Sequence, residues 1–318
     1  MAESGTDIIK AAHILSSGDI VAIPTETVYG LAGNALNSDA VLKIFKAKNR
    51  PHFDPLIVHY SSFDSISAQI NGIGKQAQKL AEVFWPGPLT MLLPKPDNIP
   101  SLVTSGSDLV AVRVPNHPLT LQLLANLDFP LAAPSANPFG YVSPTSAVHV
   151  NLQLGDKIPY ILDGGDCAVG LESTIISFEN GNPVILRLGG LKTEEIEEVL
   201  GEKVSFNTLQ HSNPKAPGQL DKHYATGAKM ILTDDIESEI LKYPGKNIEL
   251  LLFGNQISDK YSNINLSKNG NIDEAAKNLF SSMRILDARN PDIIIAMKVP
   301  ETGLGKAIND RLFRASVR

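Results

Sequence analysis

Two short stretches near the start of the chain combine hydroxyl groups, cations and a histidine. The first is Pro24-Thr25-Glu26-Thr27-Val28-Tyr29-Gly30-Leu31, and the second runs from Lys48-Asn49-Arg50-Pro51 to Val58-His59. A cation beside an apolar strand usually has an anionic partner, because an uncompensated charge is costly away from water. The mixture therefore predicts one wall of a site that binds a nucleotide and an amino acid.

More cations and polar groups follow other apolar runs. Arg113 and Arg187 lie on predicted strands, and Ser135 and Asn137 are two residues apart after a further apolar run. Together with the cations of the second stretch, they could clamp phosphates and a carboxylate. Taken singly, each cation also fits an exposed strand end. The Ser135 and Asn137 pair also fits a proline-flanked turn, and His59 also fits a core histidine.

The composition is that of an ordinary globular protein. Of 318 residues, 43% are hydrophobic and 19% are charged, which is enough for a sizeable core in one or two domains. The net charge of -6 gives no overall basic field for nucleic acid, although a local basic cleft stays open. Cys167 is the sole cysteine, so we expect neither an internal disulfide nor a cysteine-rich zinc site.

The sequence lacks recognisable signals for secretion or membrane insertion, which favours the cytoplasm. Residues 1–10 are polar and lack the apolar core of a signal peptide. No apolar run approaches the length of a membrane span. We therefore expect a cytoplasmic protein with no membrane partner.

The hydrophobic pattern divides the chain into three parts. Residues 1–200 alternate between helical periods and short buried strands, which indicates an α/β domain. Residues 201–228 lose this periodicity and contain several prolines and glycines, so they are predicted to be a linker. Residues 229–318 alternate again and predict a small α/β unit.

The geometry around Pro51 bears on the two cations before it. Proline disfavours helical geometry in the residue that precedes it, so Arg50 is expected to be extended. Lys48 and Arg50 would then be two apart on an extended segment and project to the same side. Upstream, Ser38 or Asp39 is predicted to cap a helix that leads into this segment.

A set of further motifs follows in order along the chain: Pro55-Leu56-Ile57-Val58-His59, Trp85-Pro86-Gly87-Pro88-Leu89-Thr90, Val112-Arg113-Val114-Pro115, Pro134-Ser135-Ala136-Asn137, Asp163-Gly164-Gly165, Gly170 with Ser173-Thr174, and Arg187. With the two opening stretches, this ordered set resembles the threonylcarbamoyl-AMP synthases of the YrdC-like family. No single motif is specific, but the set in this order is. The segment from Pro217-Gly218 to His223-Tyr224 and the unit after it extend the resemblance to the family's long, two-domain form.

The resemblance implies a fold and a reaction. The fold would be a twisted mixed open α/β sheet enclosing a deep positive cavity, with a small Rossmann-like C-terminal domain. The enzyme would be a nucleotidyltransferase that converts L-threonine, bicarbonate and ATP, with Mg²⁺, into threonylcarbamoyl-AMP and pyrophosphate. A separate transferase would then attach the threonylcarbamoyl group to a tRNA adenosine; direct tRNA binding by this chain stays open.

The resemblance also implies roles for individual residues. Lys48 and Arg50 would be catalytic, and Tyr224 on the linker would close over the site as a lid. The threonine-binding set would be Thr27, His59, Arg113 and Ser173. The ATP-binding set would be Lys48, Arg50, Ser135, Asn137, Arg187 and Tyr224.

One residue departs from the pattern, and two alternatives remain. The family often has asparagine where this chain has Asp54, which could pair with Arg50 or help to place Mg²⁺. The cation cluster also fits a non-catalytic RNA-binding module, although the net charge and the lack of interleaved exposed aromatics weigh against it. Carbamoyl transfer by a related enzyme is disfavoured, because that larger family usually has zinc-finger cysteines.

Overall fold

The computed structural model describes residues 1–179, 181–207, 224–256 and 258–317. This part of the chain forms two sheets, one with eleven strands of mixed direction and one with four parallel strands. The expectation of a mixed α/β fold built on a large sheet is confirmed. Within the ranges given, no helix is long and apolar enough to cross a lipid bilayer.

The strands of the large sheet are β1 (Glu3–Gly5), β2 (Val21–Ile23), β3 (Gly30–Asn34), β4 (Ile57–His59), β5 (Leu89–Pro94), β6 (Leu109–Arg113), β7 (Leu131–Ala132), β8 (Tyr160–Leu162), β9 (Thr174–Glu179), β10 (Asn182–Arg187) and β11 (Ser205–Phe206). Their order is β1-β8-β2-β3-β7-β4-β6-β5-β9-β10-β11. β9 and β10 form an antiparallel hairpin, whereas β4 and β6 are parallel and need a longer crossover. Short central strands such as β2 and β4 are buried throughout, so they have no alternating pattern.

The helices around this sheet are α1 (Ile8–Ser16), α2 (Ser38–Lys48), α3 (Phe63–Ser67), α4 (Lys75–Phe84), α5 (Ser101–Thr104), α6 (Pro118–Ala125), α7 (Ala147–Leu154) and α8 (Thr193–Leu200). Polar side chains cap the N-termini of several of these helices by accepting hydrogen bonds from free backbone N–H groups. Asp7 accepts from Lys10 at the start of α1. The prediction that Ser38 or Asp39 caps α2 is wrong, because the Asn37 side chain accepts from the N–H groups of Asp39 and Ala40.

The period of two along β2 divides its side chains between two cores. Val21 and Ile23 pack with Leu15 of α1 and Leu123 of α6 on one face. The side chain between them, Ala22, belongs to the larger core on the other face, together with the inner sides of α2 and α4. The sheet is therefore covered by helices on both faces at this end.

The four-stranded sheet consists of β12 (Lys229–Thr233), β13 (Ile248–Leu252), β14 (Asn263–Asn265) and β15 (Ile293–Met297) in the order β12-β15-β13-β14. Its helices are α9 (Ile236–Ile240), α10 (Ile272–Ala288) and α11 (Gly305–Ser316). The N–H group of Glu274 bonds to the Asn271 side chain, which begins α10, and acidic residues occupy its first turn. We call residues 229–316 the C-terminal unit.

The predicted linker at residues 201–228 is only partly described. Its first part contributes β11, which pairs in parallel with β10 and so extends the large sheet. Residues 208–223, which include the motif from Pro217 to His223, lie outside the described residues. After this segment, Ala225 donates a hydrogen bond from its N–H to the carbonyl of Gly140 at 2.8 Å.

The C-terminal unit packs directly on the large sheet's loops. One apolar cluster contains Val28 and Leu171 from the first part of the chain and Phe280 from α10. Two buried arginines bond across the same boundary. Arg284 donates to the carbonyls of residues 142 and 143, and Arg311 donates to the carbonyl of residue 188. The two parts therefore share a core and hydrogen bonds.

Candidate active site

A cavity of about 50 Å³ lies against the large sheet, where strand ends and loops meet. Most of the residues predicted from sequence contribute to its wall, although they are spread over nearly 200 residues of chain. Of the ten predicted site residues, eight line it: Thr27, Arg50, His59, Arg113, Ser135, Ser173, Arg187 and Tyr224. Lys48 and Asn137 are buried outside this lining.

Strand register explains why these distant residues meet. β4 and β6 run parallel with His59 directly beside Arg113, so both strands end at the same edge. β10 is antiparallel to β9, which brings Arg187 at the end of β10 beside Ile175 near the start of β9. Ser173, which immediately precedes β9, is consequently close to Arg187.

Arg113 is held from three sides in a buried position. Its Nε donates to the carbonyl of Gly87 at 3.1 Å, and its Nη1 donates to Oγ1 of Thr27 at 3.0 Å. Its Nη2 lies 2.7 Å from Oε2 of Glu26 in a buried ion pair. Oγ1 of Thr27 also lies 2.7 Å from Oγ1 of Thr25. Such a fixed guanidinium suits recognition of a planar carboxylate.

Arg187 and Ser173 form a second rigid corner. The guanidinium donates to the Ser173 carbonyl from Nε at 3.2 Å and from Nη2 at 2.9 Å. Nη2 also donates to Oγ of Ser173 at 3.1 Å, and that oxygen lies 2.7 Å from Oγ1 of Thr90. Burial lowers the pKa of Arg187 from its ordinary value. Any side chain at position 189 would collide with the Ser173 carbonyl, so Gly189 allows its backbone to approach that of Ser173 closely.

His59 is a neutral group in the cavity wall. Its side chain is buried, and burial together with the nearby Arg113 charge lowers its pKa to about 3. Its Nδ1 has no hydrogen-bond partner within the described ranges. At neutral pH the uncharged imidazole can therefore form a hydrogen bond with a ligand, and it adds no positive charge to the site.

Arg50 and Asp54 form a buried ion pair, which gives Asp54 a position that the sequence left open. Nη2 of Arg50 lies 2.8 Å from Oδ2 of Asp54. The same guanidinium donates to the Asp54 carbonyl at 3.1 Å and to the Pro55 carbonyl at 2.8 Å. Asp54 is fully buried and lies outside the cavity lining, so it fixes Arg50 from behind.

Lys48 does not have the backbone that the sequence predicts. It is the last residue of α2, and Asn49 ends the helix in a left-handed conformation with φ 52°, so Lys48 is not on an extended segment. Its buried amine donates to the carbonyls of Ser135 and Asn137, at 2.5 Å each. Burial and the charge of Arg50 lower its pKa well below the ordinary value. Here Lys48 shapes the loop that carries Ser135.

Tyr224 lines one side of the cavity. It is buried, and its backbone has a φ of 64°, a left-handed value that is uncommon for a bulky residue. Its ring stacks on Phe280 of α10, with 5.4 Å between ring centroids, and the Arg311 guanidinium lies 5.2 Å from the Tyr224 ring centroid. The end of the predicted linker is thus fixed between the cavity and the C-terminal unit.

Three charged residues of the site were not identified from sequence. Glu26 pairs with Arg113, Glu172 lines the cavity, and Arg311 pairs with Glu172 through Nε and Oε2 at 3.0 Å. The position of Glu26 inside an otherwise uncharged motif is a usable signal. Arg311 lies in an ordinary charged helix sequence, and only the packing of α11 reveals its position.

Comparisons with known proteins identify the family of the chain. A family model described as "Telomere recombination" (Sua5/YciO/YrdC) matches residues 13–189, and one described as "Threonylcarbamoyl-AMP synthase, C-terminal domain" matches residues 191–317. The threonylcarbamoyl-AMP synthase of Pyrococcus abyssi is 42% identical over 96% of this chain and 93% of its own. That of Bacillus subtilis is 38% identical over 97% and 92%.

A solved structure described as P. abyssi Sua5 complexed with L-threonine superposes with a TM-score of 0.92 at 40% identity, covering 99% of this chain and 97% of that one. A mixed-sheet α/β protein whose cavity concentrates buried arginines and hydroxyl groups is, as a class, suited to bind anionic small molecules. The chain belongs to the Sua5/YrdC family of threonylcarbamoyl-AMP synthases.

Proposed function

We propose that this protein is an L-threonylcarbamoyladenylate synthase, a nucleotidyltransferase that uses L-threonine, bicarbonate and ATP. The observation that carries the proposal is the convergence of three buried arginines, Arg50, Arg113 and Arg187, on one small cavity with hydroxyl groups. Two of the three substrates offer these arginines a large anionic group: threonine has a carboxylate and ATP has a triphosphate. The full-length similarity to named threonylcarbamoyl-AMP synthases supports the same assignment.

Threonine would bind at the Arg113 side of the cavity. The Arg113 guanidinium faces the substrate carboxylate, while Thr27, His59 and Ser173 offer hydrogen bonds to its remaining polar groups. With a pKa of about 3, His59 acts as a hydrogen-bonding group, and the proton released by the threonine ammonium passes to solvent. The deprotonated amine attacks the carbon of bicarbonate, and a water molecule is lost to give the carbamate.

The nucleotide would bind at the Arg50 and Arg187 side. These guanidiniums, with Ser135 and the loop braced by Lys48 and Asn137, would hold the phosphates. A carbamate oxygen attacks the α-phosphorus of ATP, the bond to the bridging oxygen breaks, and pyrophosphate leaves. Transfer of this kind depends mainly on positioning and on charge neutralisation, so it needs no protein nucleophile.

Mg²⁺ would arrive with the nucleotide. No group of three or more metal-binding side chains occurs within the described ranges, and Glu172 is the sole carboxylate in the cavity lining. Mg²⁺ commonly keeps several waters and is held by substrate phosphates with few protein carboxylates. The residues present therefore fit a metal carried by the triphosphate, where it would neutralise charge on the leaving pyrophosphate.

The division of labour along the chain follows from the same proposal. Residues 1–200 would be the catalytic domain with a deep positive cavity, and residues 201–228 a linker whose Tyr224 acts as a lid. Residues 229–318 would be a Rossmann-like domain, which the parallel four-stranded sheet supports. The product would pass to a separate tRNA threonylcarbamoyl transferase in the cytoplasm.

The proposal is tested by measuring pyrophosphate release with ATP, Mg²⁺, bicarbonate and either L-threonine or no amino acid. We expect release that depends on threonine, and Arg113→Gln should abolish most of it. Arg289→Gln is the matched control, because Arg289 pairs with Glu249 inside the C-terminal unit. Salt-sensitive tRNA binding without threonine-dependent release would refute the synthase and favour the RNA-binding alternative.

A further inference from the structure

We propose that Arg311, on the last helix of the chain, is a positioning residue for the adenylation site. In this role it neutralises the carboxylate of Glu172, so that a cavity containing a fixed negative charge can still accept anionic substrates. The inference rests on the proposed function, because it assumes that a nucleotide and a carboxylate bind in this cavity. It goes further by assigning part of the active site to the C-terminal unit.

Glu172 is the feature that requires an explanation. It lines the cavity next to Ser173, yet the other charged side chains of the lining are all arginines. A carboxylate at this place repels phosphates, and the repulsion is strong where water is scarce. Its Oε1 accepts a hydrogen bond from Oγ of Ser143 at 2.5 Å, which orients the group but leaves its charge in place.

Arg311 supplies the compensating charge. Its side chain is fully buried, and its Nε donates to Oε2 of Glu172 at 3.0 Å. Nη2 donates to the Leu188 carbonyl and Nη1 donates to Oδ2 of Asp310, each at 2.6 Å. The guanidinium also lies against the Tyr224 ring. These contacts fix the cation beside Glu172, and Arg311 itself is not part of the cavity lining.

The arrangement makes a specific electrostatic prediction. Arg187 is a second cation near Glu172 and Tyr224, and it is already bonded to Ser173. Without Arg311, the Glu172 charge would act on bound phosphates or draw Arg187 away from Ser173. Either result weakens anion binding, and both depend on the Glu172 charge. Removing that charge should therefore reverse the effect.

The test measures dissociation constants of ATP and of inorganic pyrophosphate by calorimetry, with KM and kcat for pyrophosphate release, in four full-length variants. Arg311→Gln should weaken binding of both anions by about tenfold or more and raise KM for ATP more than it lowers kcat. Glu172→Gln in the Arg311→Gln background should restore binding to within about threefold of Glu172→Gln alone. Arg284→Gln, which removes another interdomain arginine that bonds to the carbonyls of residues 142 and 143, should lower the melting temperature without this loss.

Four results would overturn the inference. They are unchanged anion binding in Arg311→Gln, failure of the double variant to recover, an equal loss in Arg284→Gln, and a wild-type protein that binds neither anion. If Arg311→Gln does not fold, the comparison of the double variant with Glu172→Gln decides the question. Wild-type binding of pyrophosphate without threonine-dependent turnover would refute the proposed function but leave the Arg311 test valid.

Discussion

The neutral state of His59 should make the stability of this protein depend on pH in a way that one substitution removes. Burial and Arg113 lower the pKa of His59 from 6.5 to about 3 in the folded protein. In the unfolded chain the ring takes up a proton near pH 6.5. Between these two values the unfolded state binds more protons, so the free energy of unfolding falls as the pH falls.

The size of this effect follows from the two pKa values. From about pH 7.5 to pH 5, protonation of His59 in the unfolded chain should lower the free energy of unfolding by about 2 kcal/mol. By pH 3 the loss from this one residue approaches about 4–5 kcal/mol. His149, whose pKa burial lowers to about 4, adds a similar dependence, but it is shared by any variant that changes His59 alone.

The assay is urea unfolding of the wild type and of His59→Gln at about pH 7.5 and about pH 5. Glutamine keeps a polar side chain without a titrating group. All other titrating groups are common to the two proteins, so they cancel in the difference between the two pH-dependent changes. We expect the wild type to lose about 2 kcal/mol more than the variant. Equal losses would refute the claim that His59 is neutral and buried in the folded state.

Three further predictions concern residues that hold the cavity wall. Thr27→Val removes the hydroxyl that accepts from Arg113, so KM for threonine should rise by about tenfold while the melting temperature changes little; an unchanged KM would exclude this contact. Arg50→Ala should abolish activity. It also leaves Asp54 buried without its cation, so the free energy of unfolding measured in urea should fall by about 3–5 kcal/mol. Adding Asp54→Asn to the Arg50→Ala variant should recover stability but not activity. Gly189→Ala places a methyl group against the Ser173 carbonyl and should impair folding or activity severely. Gly74→Ala is the matched control, because a methyl group there has no atom within 4 Å. Equal effects of the two variants in melting and turnover assays would contradict the close packing at Gly189.

Some features of the site could be predicted from sequence because they depend on local patterns. Short apolar runs in the sequence predicted β4, β6 and β10. Each of these strands ends at a polar residue, His59, Arg113 or Arg187, which could be recognised as a candidate site residue. A strand end that carries a cation can be recognised without knowing its neighbours. The α2 cap and the backbone of Lys48 could not be predicted correctly, because competing polar residues at 37–39 and a left-handed Asn49 decide where that helix begins and ends.

The sequence by itself determined the residue types of the cavity, the strands that carry His59, Arg113 and Arg187, and the family to which the chain belongs. The tertiary structure alone decided which cation faces which anion. Arg50 is fixed by Asp54 from behind, Lys48 bonds to two carbonyls, and Arg311 reaches Glu172 across 139 positions of the chain. The physical reason is that charge pairing in a buried site depends on distances of a few ångströms, and those distances arise only when separate elements pack together.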